Sequence, residues 1–333
     1  MTSCAGFNAS KGGKVPHGRN GLVCALLLLA ATAQGDVLCG TWNLKWFPSG
    51  RAEHRASPRV EKANIADAAD VVREGLRKAG LVTSGKSLLV GETGVILFFQ
   101  EVRDSGACSK LVTAVGATNL TLASVSAFRD WDNRLLWQQC GIATTLPVVE
   151  SSWSYWKRSA TKLFLPRGYA YAVVDAGKDG LIGCFCVHLK SNYGATKQET
   201  RAQNAQKREI VAKQMVDLTK KIKTADGRVV GRIIIAGDFN TDPTASRFEQ
   251  EQTFPVLEQA GFANCFAGLP LEKRGTHPGN TRYPDITFDY VLHRGFAQAD
   301  EPVLSPEVPL SDHRMVWLRL RGQHAGPRRA VSP

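Results

Sequence analysis

The strongest constraint on this chain is the way its apolar runs end. Stretches short enough to be buried strands stop, one after another, in a carboxylate, a carboxamide or an imidazole. Thr41-Trp42-Asn43-Leu44 follows the run Asp36 to Trp42, and Phe99-Gln100-Glu101 closes Val95 to Gln100. His188-Leu189-Lys190-Ser191-Asn192 ends Gly183 to Leu189, and Gly237-Asp238-Phe239-Asn240-Thr241-Asp242 ends Ile233 to Ala236. Phe288-Asp289-Tyr290 and Ser311-Asp312-His313-Arg314 complete the series, beside the strands Thr287 to Leu292 and Met315 to Leu320. Rigid strands that carry polar groups at their tips are how α/β scaffolds commonly hold catalytic side chains.

Between these runs lie helical stretches. Ser57-Pro58 reads as an N-cap and first-turn pair opening a helix to about Ala79, where Gly80 stops it. A second helix is expected over Gln198 to Ile222, with Ile210, Val211, Met215, Leu218 and Ile222 on its apolar face and Lys207, Arg208, Lys213 and Lys220 off it. Further strands are expected near Leu120 to Phe128, Cys140 to Thr144 and Gly168 to Val174. No internal repeat or linker interrupts the alternation, so residues 36–322 read as one α/β domain.

With 333 residues, 43% hydrophobic and 22% charged, the chain is long enough to bury a sizeable core and too apolar to be disordered. Lys11, Lys14 and Arg19 precede the apolar run Gly21 to Ala33, which ends in Ala31-Thr32-Ala33. Residues 1–33 therefore read as a secretory signal peptide, with a retained interfacial anchor as the alternative. The run is short for a membrane span, so no stable membrane insertion is expected after cleavage, and the destination is outside the cell or the periplasm. Removing those three basic residues leaves 39 Lys and Arg against 30 Asp and Glu, a net charge of +9. A polyanionic partner suits that balance. Residues 323–333 read as a flexible basic tail. Six cysteines follow the leader, and in an exported chain they allow 15 disulfide connectivities among which the sequence does not choose. Cys184 and Cys186 share one side of a strand, where a cysteine also packs as a small hydrophobe.

Trp-Asn, Gln-Glu, Gly-Asp-Phe-Asn and Ser-Asp-His, in that order, make the chain resemble the endonuclease/exonuclease/phosphatase superfamily, the deoxyribonuclease-like fold, from about Val37 to Arg321. The resemblance implies a four-layered α/β sandwich, two packed mixed β-sheets flanked by helices, with metal-dependent phosphoester hydrolysis at one edge. It places Glu101 as metal ligand, with Asn43 and Asp312. Three oxygen donors imply a hard cation, Mg²⁺ first and Mn²⁺ or Ca²⁺ next. Asp238 then helps place or activate the attacking water, and Asn240 positions it or the phosphate, although Asp-x-Asn alone is also an ordinary turn. Asp289 resembles the carboxylate that orients His313, which serves as general base or phosphate clamp.

His188 separates branches of the superfamily, because the abasic-site repair branch carries a Tyr and Asn pattern in that segment. The branch implied is the one with secreted deoxyribonucleases, sphingomyelinases and deadenylases, in which the imidazole is a general acid or phosphate binder. Lys190, Arg167 and Asn192 are expected to contact substrate phosphate. His54, His277 and His293 are read as structural. Trp153, Tyr155 and Trp156 fit either a base-stacking surface or the core. The sequence thus predicts an exported, monomeric, metal-dependent nuclease acting on DNA, or on RNA, with low sequence specificity. A phosphodiesterase or phosphatase for lipid headgroups or small phosphoesters, and a non-enzymatic DNA-binding module, are the alternatives.

Overall fold

Apolar side chains on both faces of most strands require each sheet to be covered twice, once by the other sheet and once by helices. The computed structural model describes residues 35–52, 55–81, 93–117, 119–158, 163–192, 200–281 and 283–322. The leader, the basic tail and His54 lie outside the described residues. In chain order the elements are β1 (Val37–Phe47), α1 (Pro58–Lys78), β2 (Gly94–Val102), α2 (Ser105–Val115), β3 (Thr121–Val125), β4 (Gln139–Thr144), β5 (Val148–Tyr155), β6 (Gly168–Asp175) and β7 (Leu181–His188). There follow α3 (Arg201–Thr219), β8 (Arg232–Asp238), α4 (Thr253–Gln259), β9 (Ala263–Asn264), α5 (Leu271–Arg274), β10 (Asp289–Arg294), β11 (Gln298–Ala299), β12 (Val303–Leu304) and β13 (Val316–Arg321).

The first sheet runs β11-β13-β1-β2-β4-β3, with β12 paired to β13, and the second runs β5-β6-β7-β8-β10-β9. Both are mixed: β1 with β2 and β7 with β8 are parallel, and the other pairs are antiparallel. Cys39, Ile96 and Phe98 point into the layer between the sheets, while their neighbours Leu38, Leu97 and Phe99 point outward under α1 and α2. On the far side α3 and α4 cover the second sheet through Val211, Met215, Phe254 and Leu257. The architecture is the four-layered sandwich expected.

Local chemistry explains the helix starts. Ser57 Oγ accepts from Val60 N with Pro58 in the first turn of α1, and Thr200 and Gln203 form a reciprocal capping box at α3. The expected face of α3 is corrected by the structure. The buried stripe is Asn204, Lys207, Arg208, Val211, Ala212, Met215 and Thr219. Arg208 is buried because Glu251 neutralises it through two hydrogen bonds of 2.8 and 2.6 Å, so a charge expected in solvent is instead an internal strut. The six described cysteines are all free and buried, and burial pushes the thiols of Cys39, Cys108, Cys184 and Cys265 up. They pack as small hydrophobes. Among the described residues no helix is long and apolar enough to cross a membrane.

Candidate active site

Sheet register lines up three of the predicted residues. His188 at the end of β7 pairs with Asp238 at the end of β8, and Asp238 pairs with Asp289 at the start of β10. Gly237 makes the approach possible: its φ is +147°, and a Cβ there would lie 1.9 Å from Val187 O. From the facing sheet, β1 brings Asn43 and β2 brings Glu101. Asn43 Nδ2 donates to Asp238 Oδ2 at 2.9 Å and to Glu101 Oε1 at 3.3 Å, joining the two sheets through one amide. His188 Nε2 stands 3.5 Å from Asp238 Oδ2 and 3.8 Å from Glu101 Oε1.

The last contributor is a loop stapled to β1. Trp42 Nε1 donates to His313 O, Ser311 Oγ donates to Asn43 O, and His313 N donates to Ser311 Oγ. That places His313 Nδ1 2.7 Å from Asp289 Oδ2. Asn43, Glu101, Arg167, His188, Lys190, Asn192, Asp238, Asn240, Asp312 and His313 all line one cleft of about 1120 Å³, and Asp289 lies behind His313, fully buried. Backbone strain concentrates there too. Of six described non-glycine residues at positive φ, five line the cleft: Lys45, Trp46, Glu101, Arg167 and Asn240. Such conformations cost energy and persist where surrounding structure enforces them.

The two histidines carry different charge. Burial alone would push His313 down, but Asp289, with Asp238 and Asp312, outweighs it and raises the imidazole to about 10, so it is a cation at neutral pH. Burial, then the charges of Arg167 and His313, hold His188 well below its ordinary value, so it is neutral. Burial, opposed by His313 and reinforced by Asp289, raises Asp238 to about 7. Without a cation, Asp238 thus binds a proton more readily than an ordinary carboxylate.

Some predicted residues occupy different positions from those expected. Arg167 Nε donates to His188 O, Nη1 to Gln138 Oε1 and Nη2 to Leu189 O, so two of its five donors fix the backbone beneath the site and a third holds a side chain, rather than a phosphate. Asn192 Oδ1 accepts from Arg208, and Asn240 Nδ2 donates to Leu189 O while its backbone N donates to Asp238 Oδ1. Asp312 is paired with Lys45 at 3.1 Å, its side chain 44% exposed. Although burial alone would raise Asp312, His313 and Lys45 outweigh that and hold it low. Lys45 thus already supplies Asp312 with a cation. His277, read as structural, in fact lies in the cleft with its ring edge-on to His313, centroids 4.9 Å apart. Its isolation in the sequence carries no signal of that place. Trp153 and Tyr155 are partly exposed on the edge strand β5 and pack on Phe128, whereas Trp156 belongs to the core.

The donors fit a hard divalent cation. Asp238, Asp289 and His313 each offer an atom within 4.8 Å of the others, and Asp289 Oδ1 is buried without a hydrogen-bond partner. Because Asp289 keeps His313 protonated, the carboxylate oxygens of Glu101 and Asp238 are the better ligands; Asn43, expected as a ligand, turns Nδ2 to both carboxylates while its Oδ1 accepts from Lys45 N, so it holds them together.

A family model, Endonuclease/Exonuclease/phosphatase family, matches residues 40–313. The chain belongs to this family. Membership supports a metal-dependent phosphoester hydrolase. Solved family structures share the fold at low identity. The endonuclease/exonuclease/phosphatase from Beutenbergia cavernae is 16% identical with a TM-score of 0.57, over 86% of this chain and 72% of that one. A humanized D. rerio TDP2 is 16% identical with a TM-score of 0.54, and the family protein from Bacteroides vulgatus is 14% identical with a TM-score of 0.54; each alignment covers 86% of this chain and 99% of the other. No curated protein matches the chain.

Proposed function

We propose that this family member is an exported, monomeric nuclease that hydrolyses phosphodiester bonds of DNA, with RNA as the alternative polymer, and with little sequence preference. The carrying observation is the convergence of Glu101, Asp238 and the Asp289–His313 pair, from both sheets, in one cleft. The leader supports export to the medium or periplasm. A net charge of +9 after the leader supports a polyanionic substrate.

Glu101 and Asp238 would hold the cation, Mg²⁺ first, with Mn²⁺ and Ca²⁺ next, and Asn43 bridges the two carboxylates. When bound, it neutralises phosphate charge. The His313 imidazolium clamps a phosphate oxygen, held in orientation by Asp289 at Nδ1. Asp238 orients the attacking water and takes its proton. Neutral His188 donates a hydrogen bond to the phosphate or leaving oxygen, and Asn240 and Lys190 position the strand. Arg167 acts as a positioning residue, since it fixes the carbonyls of His188 and Leu189.

The test is incubation of the mature protein with supercoiled plasmid and with RNA, each with Mg²⁺, Mn²⁺ or Ca²⁺ and an EDTA control. Metal-dependent nicking is the expected result. Absence of cutting of either polymer under every metal overturns the reading, and release of headgroup from liposomes in a parallel arm would redirect it to lipid phosphodiesters.

A further inference from the structure

Beyond His277 the cleft continues toward two arginines without an ion-pair partner among the described residues. Arg201, at the start of α3, and Arg247, in the turn after β8, both line the cleft. Neither makes a hydrogen bond or an ion pair with any described residue, which sets them apart from Arg208 with Glu251 and Arg274 with Asp242. Asp242, the carboxylate whose charge reaches Arg247, is hydrogen-bonded to Arg274 at 2.8 Å. Arg247 lies over two rings, its guanidinium carbon 4.9 Å from the centroid of Phe248 and 5.8 Å from that of Phe288. Burial, and then the like charge of Arg201, push Arg247 down. Two guanidinia of like charge in one cleft, one of them lying over aromatic rings, suit an anion.

Ring contacts connect this end of the cleft to the catalytic centre. His313 meets His277 at 4.9 Å, His277 meets Phe288 at 5.6 Å, and Phe288 meets Arg247. Phosphates recur about every 3.4 Å of rise along a stacked strand, so a strand lying along this wall presents another phosphate to the arginines within a few nucleotides of the one beside His313.

We propose that Arg201 and Arg247 form a second phosphate subsite, which grips a backbone phosphate of the nucleic acid on the His277 side of the scissile bond. The subsite rests on the nuclease reading for the identity of the polymer. Arg247 supplies a fork suited to two phosphate oxygens, and Arg201 supplies a second charge. Contacts of this kind set register along the strand without reading sequence.

The experiment measures binding of a fluorescein-labelled single-stranded oligodeoxynucleotide in EDTA, by anisotropy across a KCl series, so that no turnover is needed. For the Arg201→Ala/Arg247→Ala double variant, the slope of log affinity against log salt should become shallower by about 0.7, the value for one phosphate on a single strand. Arg247→Lys should restore most of the slope, since it keeps the charge. In a scan with single neutral methylphosphonate linkages, one position should weaken the wild type and leave the double variant unaffected. An unchanged slope, or a methylphosphonate effect identical in both proteins, overturns the subsite. Wild-type binding with the expected slope but without plasmid cutting in metal would sink the nuclease reading and leave the subsite standing. Failure of the wild type to bind overturns both.

Discussion

Asp289 is the residue on which the chemistry of this cleft turns, because it decides the charge of its neighbour. Its Oδ2 lies 2.7 Å from His313 Nδ1 and outweighs the effect of burial on that imidazole. Asp289→Asn should therefore leave the strand pairing of β10 intact while letting His313 deprotonate near neutrality. Phosphodiester cleavage should fall by about 10²-fold or more, the scale of a lost acid or base; circular dichroism checks that the fold survives while the plasmid assay reads the loss. His293, further along β10, makes a different prediction. Burial holds it below its ordinary value, and its ring meets Phe296 edge-on. In a group whose folded pKa is depressed, the unfolded chain binds the proton more readily. The stabilisation is thus complete above about pH 6.5 and is lost as pH falls through the folded value. A His293→Leu variant should lose less melting temperature than the wild type between pH 7 and pH 5; equal losses would mean that His293 is not the acid-sensitive group.

Elements carry these residues through devices that differ in how well the sequence announces them. The tips of β1, β2, β7 and β8 are legible because packing alone seldom ends a buried apolar run in Asn, Glu, His or Asp, and α1 is legible from Ser57-Pro58 and Gly80. Helix α2 is not foreseen, although Asp104 caps it by accepting from Ala107 N and Gly116 ends it at φ +73°; the helix is only 11 residues long, and its apolar stripe merges with the strand before it. The edge strand β5 escapes sequence reading because most of its residues are exposed, so it lacks an apolar run. Arg208 on α3 is misplaced for a different reason, since its partner Glu251 lies 43 positions away and periodicity carries no information about it. That pair also reaches the site: Arg208 Nη1 donates to Lys190 O and Asn192 Oδ1. Glu251→Gln should destabilise the protein by about 3–5 kcal/mol, the usual result of leaving a buried charge without its partner. Loosening residues 190–192 should also raise KM more than it lowers kcat. Denaturant midpoints and steady-state kinetics on one oligonucleotide would show whether both effects occur together.

At the scale of the whole molecule, the sandwich forces acidic groups from two sheets toward one another, and that arrangement has a thermodynamic signature separate from catalysis. Asp238 sits directly opposite Asp289 across a strand pair, and burial raises it to about 7, with the attraction of His313 outweighing the repulsion of Asp289. Folding without a cation therefore works against the cost of burying this carboxylate, while a cation that binds only the folded state adds RT ln(1 + [L]/Kd), about 2.7 kcal/mol at one hundred times Kd. The wild type should melt higher in Mg²⁺ or Mn²⁺ than in EDTA, and the gain should grow with metal concentration. Asp238→Asn removes the buried charge and a ligand at once. It should melt at or above the wild type in EDTA yet gain little from metal, so the order of the two proteins reverses when saturating cation is added. Glu101→Gln, which removes a ligand further from Asp289, should also lose the metal-dependent gain. Calorimetric melting of the three proteins with and without metal reads both effects. If all three gained equally from the cation, the ion would be binding elsewhere on the surface, and the two sheets would not share a metal centre at this edge.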